Sequence, residues 1–321
     1  MKIAVMAAGG VGGYCGALLA RAGHEVTFIA RGAHLEAIRN RGLIIRSVHG
    51  DFAVNPARAL DDPAAVGIVD WILFAVKTYD TEEAARAIRP MVGESTAVVT
   101  FQNGVEAHGQ IGAIIGMERV LAAPIQVVSN VVAPGVIDQR SEFCRVTLGE
   151  ALGGWTSRLE WIATQFKAAG MDTSTTDDIL RPLWHKLVFI ASLAGLTTLA
   201  RKAPYDLLQD ADARAALRAA MEEVYAVGTA VGVSMDADIV ERQYGLCLKL
   251  GPGQKASMQL DEEQGKRLEI DALSGAVVRQ GALRGVHTPV HQMIYACLKT
   301  EKGTFRFSSS GSRISECSPS R

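Results

Sequence analysis

Seven residues near the amino terminus, Ala7-Ala8-Gly9-Gly10-Val11-Gly12-Gly13, constrain the fold of this chain more than any other feature. They follow an apolar run, Lys2 to Ala7, that reads as a strand, and they open a helical pattern, Val11 to Ala22. Glycines at a strand-to-helix junction permit a tight turn, a close approach of backbone to a ligand, and close packing of helix on strand. Free N–H groups and the positive end of the helix then suit phosphate. The spacing G-x-G-x-x-G is met at its second and third glycines, Gly9 and Gly12, with Gly10 and Val11 between them. Ala7 takes the first place, a departure from that pattern. The bland alternative is a tight turn that holds no ligand.

A second strand, Glu25 to Ala30, and a second helix, Ala33 to Asn40, follow. Trp71 to Val76 and Thr96 to Phe101 read as buried strands, with a helical stretch from Glu82 to Ile88 between them. Strands alternating with helices predict a parallel sheet with crossover connections. Val120 to Val128, Gly135 to Gln139 and Cys144 to Leu148 predict short strands added to the far edge of that sheet. Leu159 to Ala169 reads as a helix, and after about Asp177 helical patterns take over, among them Ile179 to Arg201, Ala211 to Val231 and Glu269 to Leu283. The expected fold class is α/β: a Rossmann-type dinucleotide-binding domain over residues 1–176 and an all-α domain over residues 177–302. Residues 303–321, rich in Ser and Arg, read as a disordered tail.

The second strand ends at Ala30-Arg31-Gly32. A site for NAD usually carries a carboxylate about twenty residues beyond the glycines. Arg31 stands there instead, and a guanidinium pairs with the 2′-phosphate of NADPH. A solvated surface arginine is the alternative. His24 and His34 read as surface residues flanking this unit.

Three further groups sit where ligands of open α/β sheets bind or just beyond. Lys77 follows one buried strand and Asn103 the next, in Phe101-Gln102-Asn103-Gly104. Lys186 interrupts an apolar helix in Leu183-Trp184-His185-Lys186-Leu187, either as a snorkelling boundary residue or as a chemical group.

With these motifs in order, the chain resembles the ketopantoate reductase (2-dehydropantoate 2-reductase) family from Met1 to about Lys299. Further carriers of the likeness are Ala256-Ser257-Met258, Leu268-Glu269-Ile270-Asp271 and Gly285-Val286-His287-Thr288-Pro289. The resemblance implies NADPH-dependent reduction of a 2-oxo acid, ketopantoate to pantoate, on the route to pantothenate and coenzyme A. It makes Lys186 the catalytic lysine and Asn103, Ser257 and Glu269 substrate or active-site residues, and it places Lys77 near the cofactor. Glu269 is expected to orient Lys186 or a ribose hydroxyl, and Asn103 to touch cofactor as well as substrate. Taken singly, Asn103 reads equally as a turn residue, Ser257 as a helix cap, and Glu269 and Lys77 as surface residues. Two asparagines that often follow the lysine in that family are replaced by Ile190 and Ala194, so the substrate pocket is expected to be less polar there. Reduction of a different carbonyl or imine compound, or a non-catalytic NADPH sensor, are the competing readings.

Composition narrows the partners. Among 321 residues the net charge is −1, so no global field attracts nucleic acid or an acidic membrane. No leader is read at the amino terminus, and no run is read as approaching the ~18 apolar residues of a membrane span. Cys15, Cys144, Cys247, Cys297 and Cys317 show no paired spacing, which predicts reduced thiols, a cytoplasmic setting and no metal site. A homodimer is left open.

Overall fold

Alternation within the first strand decides the architecture. In β1 (Lys2–Met6), Ile3 and Val5 enter one buried cluster and Ala4 and Met6 another, so both faces are covered. α1 (Gly10–Arg21) crosses to β2 (Glu25–Ile29), which pairs in parallel with β1. α2 (Gly32–Arg41), β3 (Leu43–Ser47), β4 (Phe52–Val54) and β5 (Arg58–Leu60) follow. β6 (Val69–Phe74) then returns to the other side of β1, again parallel. After α3 (Thr81–Ala87), β7 (Val92–Thr100), α4 (Ala107–Ile115) and β8 (Val120–Ala122) extend the sheet. β9 (Ile125–Gln126), β10 (Ser129–Ala133), β11 (Val136–Gln139), β12 (Arg145–Glu150), α5 (Ser157–Ala168) and β13 (Asp172–Thr175) complete this half. The computed structural model describes residues 1–299, so the expected tail lies outside the described residues.

The main sheet runs β13-β12-β8-β7-β6-β1-β2-β5, with β9 paired to β12. It is parallel from β8 to β5, while β12 is antiparallel to β8. The Rossmann-type expectation is met. The chain winds away from β1 in both directions, so the carboxyl ends of β1, β2 and β6 meet at a crevice.

One expected strand lies elsewhere. The Gly135–Gln139 segment does not join the far edge; as β11 it pairs in parallel with β3 in a second sheet, β10-β11-β3-β4. That sheet covers the outer side of α1, where Ile137 packs against Gly13. The reason is apolar: Leu43 and Ile45 of β3 are fully buried and need cover that α1 alone does not supply. The Val120–Val128 run is divided at Pro124 into β8 and β9, because proline has no N–H for the ladder.

The second half is helical. It comprises α6 (Leu180–Ala200), α7 (Pro204–Leu207), α8 (Ala211–Val231), α9 (Ile239–Leu248), α10 (Ser257–Glu263), α11 (Ser274–Arg284) and α12 (Pro289–Leu298). α6 packs against α8, α9, α10 and α12. By length and composition α6 is apolar enough to cross a bilayer, against the reading of the sequence, yet 61% of that window is buried inside the protein, as in a core helix. Buried Glu223 of α8 caps α12, accepting from Val290 N–H at 2.7 Å and His291 N–H at 2.9 Å. The helix expected from Glu269 begins only at Ser274. Residues 269–273 form turns instead, and the Glu269 side chain reaches across to the first half.

Candidate active site

The carboxyl ends of β1, β2, β6 and β7 bring Gly9, Arg31, Lys77 and Asn103 to one edge of the sheet. Gly9 ends the loop after β1 and is the N-cap of α1, with no side chain capping that helix. The first N–H groups of α1 are therefore unclaimed by a side chain, as an anion site requires. The glycines divide their work. A Cβ on Gly12 would lie 2.2 Å from the Ala7 carbonyl oxygen and 2.9 Å from the Ala75 methyl, and one on Gly10 would lie 2.2 Å from the Ser129 carbonyl oxygen. A Cβ on Gly9 meets nothing within 4 Å, so close packing holds the loop from behind and leaves its front open. Ala7 is accommodated with its carbonyl directly against Gly12.

His34 departs from its expected surface role. Partly buried, it accepts from Gly135 N–H through Nδ1 at 3.0 Å and therefore donates from Nε2 to the Ala8 carbonyl at 2.9 Å. It ties the glycine loop to the turn between β10 and β11. Burial lowers its pKa, partly opposed by the Ala8 carbonyl, which keeps this neutral tautomer.

Arg31 lies beyond β2, with its side chain 79% exposed and Glu83 at 4.0 Å as a loose partner. Such a guanidinium is available to a phosphate. Nearby, the guanidinium of Arg267, from the helical half, lies 4.6 Å over the Tyr79 ring.

Lys77, beyond β6, does not behave as a surface residue. Its ammonium donates to Asp261 Oδ2 at 2.7 Å and to Glu269 Oε2 at 3.0 Å. Glu269 Oε1 also accepts from Thr78 N–H at 3.0 Å. Burial pulls the Lys77 pKa down, but the two carboxylates outweigh it and hold the ammonium above the ordinary lysine range. Asp261 went unread in the sequence. It lies one turn of α10 beyond Ser257, a visible spacing, but nothing marked the residue as facing Lys77.

Beyond β7, Gln102 is locked by bonds to the Val76 carbonyl and the Thr81 and Thr100 hydroxyls. The adjoining Asn103 is partly buried, and its amide makes no hydrogen bond among the described residues. Gly104 has φ +89°, and a Cβ there would lie 2.7 Å from the Ala272 carbonyl oxygen, so the turn rests directly on the helical half.

Lys186 enters from α6. Its ammonium donates to the Ile125 carbonyl, just beyond β8, at 2.7 Å. Burial brings its pKa down to about 8, with Glu269 pulling weakly the other way. It is not a solvated snorkelling lysine. Glu269 is close enough to act on Lys186 through its charge, and its hydrogen bonds go to Lys77 and Thr78; of its two expected roles, orienting Lys186 or a ribose hydroxyl, the first is not made by a hydrogen bond. Ser257 opens α10 but forms no cap bond, since Ala256 is the N-cap, and its side chain is exposed. One turn after Lys186, Ile190 is partly exposed. Ala194 is 1% exposed and packed within the helical core. Among the described residues, no group of three or more His, Cys, Asp or Glu side chains is placed to hold a metal ion.

This arrangement matches known proteins over almost its whole length. Residues 3–153 match the family described as Ketopantoate reductase PanE/ApbA, and residues 178–302 match Ketopantoate reductase PanE/ApbA C terminal. The chain is 32% identical to the 2-dehydropantoate 2-reductase of Mesorhizobium japonicum, over 95% of this chain and 100% of that one. The crystal structure of a PanE/ApbA family ketopantoate reductase from Ralstonia eutropha superimposes with TM-score 0.87 at 34% identity, covering 93% of this chain and 97% of that one. That of 2-dehydropantoate 2-reductase from Geobacter metallireducens does so with TM-score 0.89 at 33% identity, covering 93% and 99%.

Proposed function

The chain belongs to the ketopantoate reductase family, and from that premise we propose that it reduces a 2-oxo acid, ketopantoate first among candidates, with NADPH. One observation carries the reading: a desolvated lysine, Lys186, held at the carboxyl edge of a dinucleotide-binding sheet. The cofactor fits the residues present. The open front of Gly9, the unclaimed start of α1 and exposed Arg31 suit a pyrophosphate and a 2′-phosphate.

Bound NADPH supplies the hydride that goes to the carbonyl carbon of the substrate. Lys186 donates a hydrogen bond to the carbonyl oxygen and gives its proton to the alkoxide that develops, leaving a neutral amine that solvent reprotonates. A pKa of about 8 keeps most Lys186 protonated at neutral pH while making its proton easier to give than that of a solvated lysine. Asn103 and Ser257, whose side chains have no hydrogen-bond partners among the described residues, donate to the substrate carboxylate, and Asn103 also borders the cofactor. Glu269 fixes Lys77 beside the cofactor and holds negative charge near Lys186.

Ile190 favours a second reading of specificity. It presents hydrocarbon one turn beyond Lys186, where a polar substrate tail would find no partner, so a less polar 2-oxo acid is the alternative substrate. We place the division between the halves at residues 176 and 177, supported by a helical-half core drawn from residues beyond 177 except for Val105 and Ala122. We place the enzyme in the cytoplasm, supported by the free thiols of Cys15, Cys144, Cys247 and Cys297.

The test is NADPH oxidation followed by absorbance over a panel of 2-oxo acids with and without a distal hydroxyl. Turnover that favours ketopantoate supports the first reading, and turnover that favours the apolar acids supports the second. NADPH binding without turnover of any panel member leaves a sensor.

A further inference from the structure

Among the described residues the Asn103 amide has no hydrogen-bond partner, so the turn that bears it must fix where it stands. That turn is gripped from the helical half. Glu106, three residues on, accepts from Arg279 Nη2 at 2.6 Å through one oxygen and from Gln280 Nε2 at 3.0 Å through the other. Arg279 Nη2 also donates to the Asp271 carbonyl at 2.8 Å, and the Tyr295 hydroxyl donates to the Asp271 carboxylate at 2.6 Å. Between these points Gly104 lies directly against the Ala272 carbonyl. The Glu269 carbonyl accepts from both Ala272 and Leu273 N–H groups, so the gripped turn is continuous with the Glu269 backbone. The grip borders a groove lined also by Glu82, Arg86 and Gln110.

We propose that Glu106 and Arg279 are positioning residues: their ion pair sets Asn103 against the Glu269 turn and so places the substrate carboxylate relative to Lys186. The inference rests on the reductase reading. Neither residue touches the reacting atoms. An error of about 1 Å in such placement costs on the order of a hundredfold in rate.

The experiment uses the 2-oxo acid that the wild-type enzyme turns over fastest. Glu106→Ala and Arg279→Met should each lower kcat/KM by about tenfold to a hundredfold, with NADPH affinity within about twofold of wild type. The double variant should lose clearly less than the product of the two single losses, since both changes remove the same Glu106–Arg279 contact. Glu106→Gln, which keeps an acceptor oxygen, should recover part of the loss. If Glu106→Ala does not fold, Arg279→Met carries the test, because the Arg279 side chain is 44% exposed and its removal opens no core. Losses that multiply in the double variant, or that appear equally in NADPH affinity, overturn the proposal. So does unchanged kcat/KM in a folded Arg279→Met enzyme. A wild type that turns over none of the acids brings down the reductase reading and this inference together, whereas an active wild type with indifferent variants brings down this inference alone.

Discussion

Replacing Lys186 by methionine should make the protein more stable at neutral pH while it disables the chemistry. The Lys186 pKa falls from 10.5 to about 8 on folding. At about 1.4 kcal/mol per unit, holding the protonated form in the folded state costs about 3 kcal/mol. The sign follows from linkage. The folded-state value is below the unfolded one, so this cost is fully present below about pH 8 and fades as pH rises toward 10.5. Methionine keeps the apolar stem and removes the charge, but it gives up the bond to the Ile125 carbonyl, worth about 1.5 kcal/mol for a charged donor. The net gain at pH 7 is then about 1–2 kcal/mol, and above pH 10, where Lys186 is a neutral donor, it turns into a loss of about 1 kcal/mol. Urea melts of both proteins between pH 6 and 10.5 read the difference directly. In parallel, kcat for the reduction should drop by about 10²–10⁴-fold with NADPH affinity retained. The wild-type kcat/KM should fall as pH rises through about 8, where Lys186 loses its proton, and the variant should lack that limb. A stability difference that does not change with pH, together with near-normal kcat, would refute both the desolvation argument and the assignment of Lys186 as the acid.

Three other perturbations probe separate parts of the site. Arg31→Ala should weaken NADPH binding by about 1.5–3 kcal/mol, roughly 10- to 150-fold, and leave NADH nearly untouched; equal losses for both cofactors mean that Arg31 does not read the 2′-phosphate. Gly12→Ala forces a methyl to 2.2 Å from the Ala7 carbonyl oxygen, so isothermal titration should show a tenfold or greater loss of NADPH affinity, on the order of 1.4 kcal/mol, and undiminished affinity would show that the loop adjusts freely. Ile190→Asn should raise the kcat/KM ratio of ketopantoate over its analogue without the hydroxyl, and a folded variant with the same ratio removes Ile190 from the pocket wall.

What could be read from the chain divides along physical lines. Local signals carried far: glycines between a strand and a helix, apolar runs buried on both faces, and a lysine in an apolar helix each report a constraint felt within a few residues. They located α1, the main sheet and Lys186. Contacts distant in sequence left no such trace. Asp261 meets Lys77 across 184 positions, and Arg279 meets Glu106 across 173, and no periodicity announces either partner. His34 was misread because an exposed helix pattern does not show that a turn about a hundred residues on will close over it. The second sheet was missed because its strands are short, β4 and β10 hold no buried residue, and the buried Leu43 and Ile45 of β3 flank a third apolar residue, Ile44, which hides the alternation. Glu269 looked helical because its neighbours favour a helix, and the ion pair with Lys77 overrode that local preference.

Lys77 faces two carboxylates, and both belong to the other half of the molecule. The three groups sum to one negative charge, so none can be altered alone without leaving the others mismatched in a partly desolvated place. A cofactor half transplanted onto a foreign helical half would inherit a lysine without its counterions. The two halves must therefore change in concert over generations, and a chimera of this chain with a relative is expected to function only when residues 77, 261 and 269 travel as one inherited set.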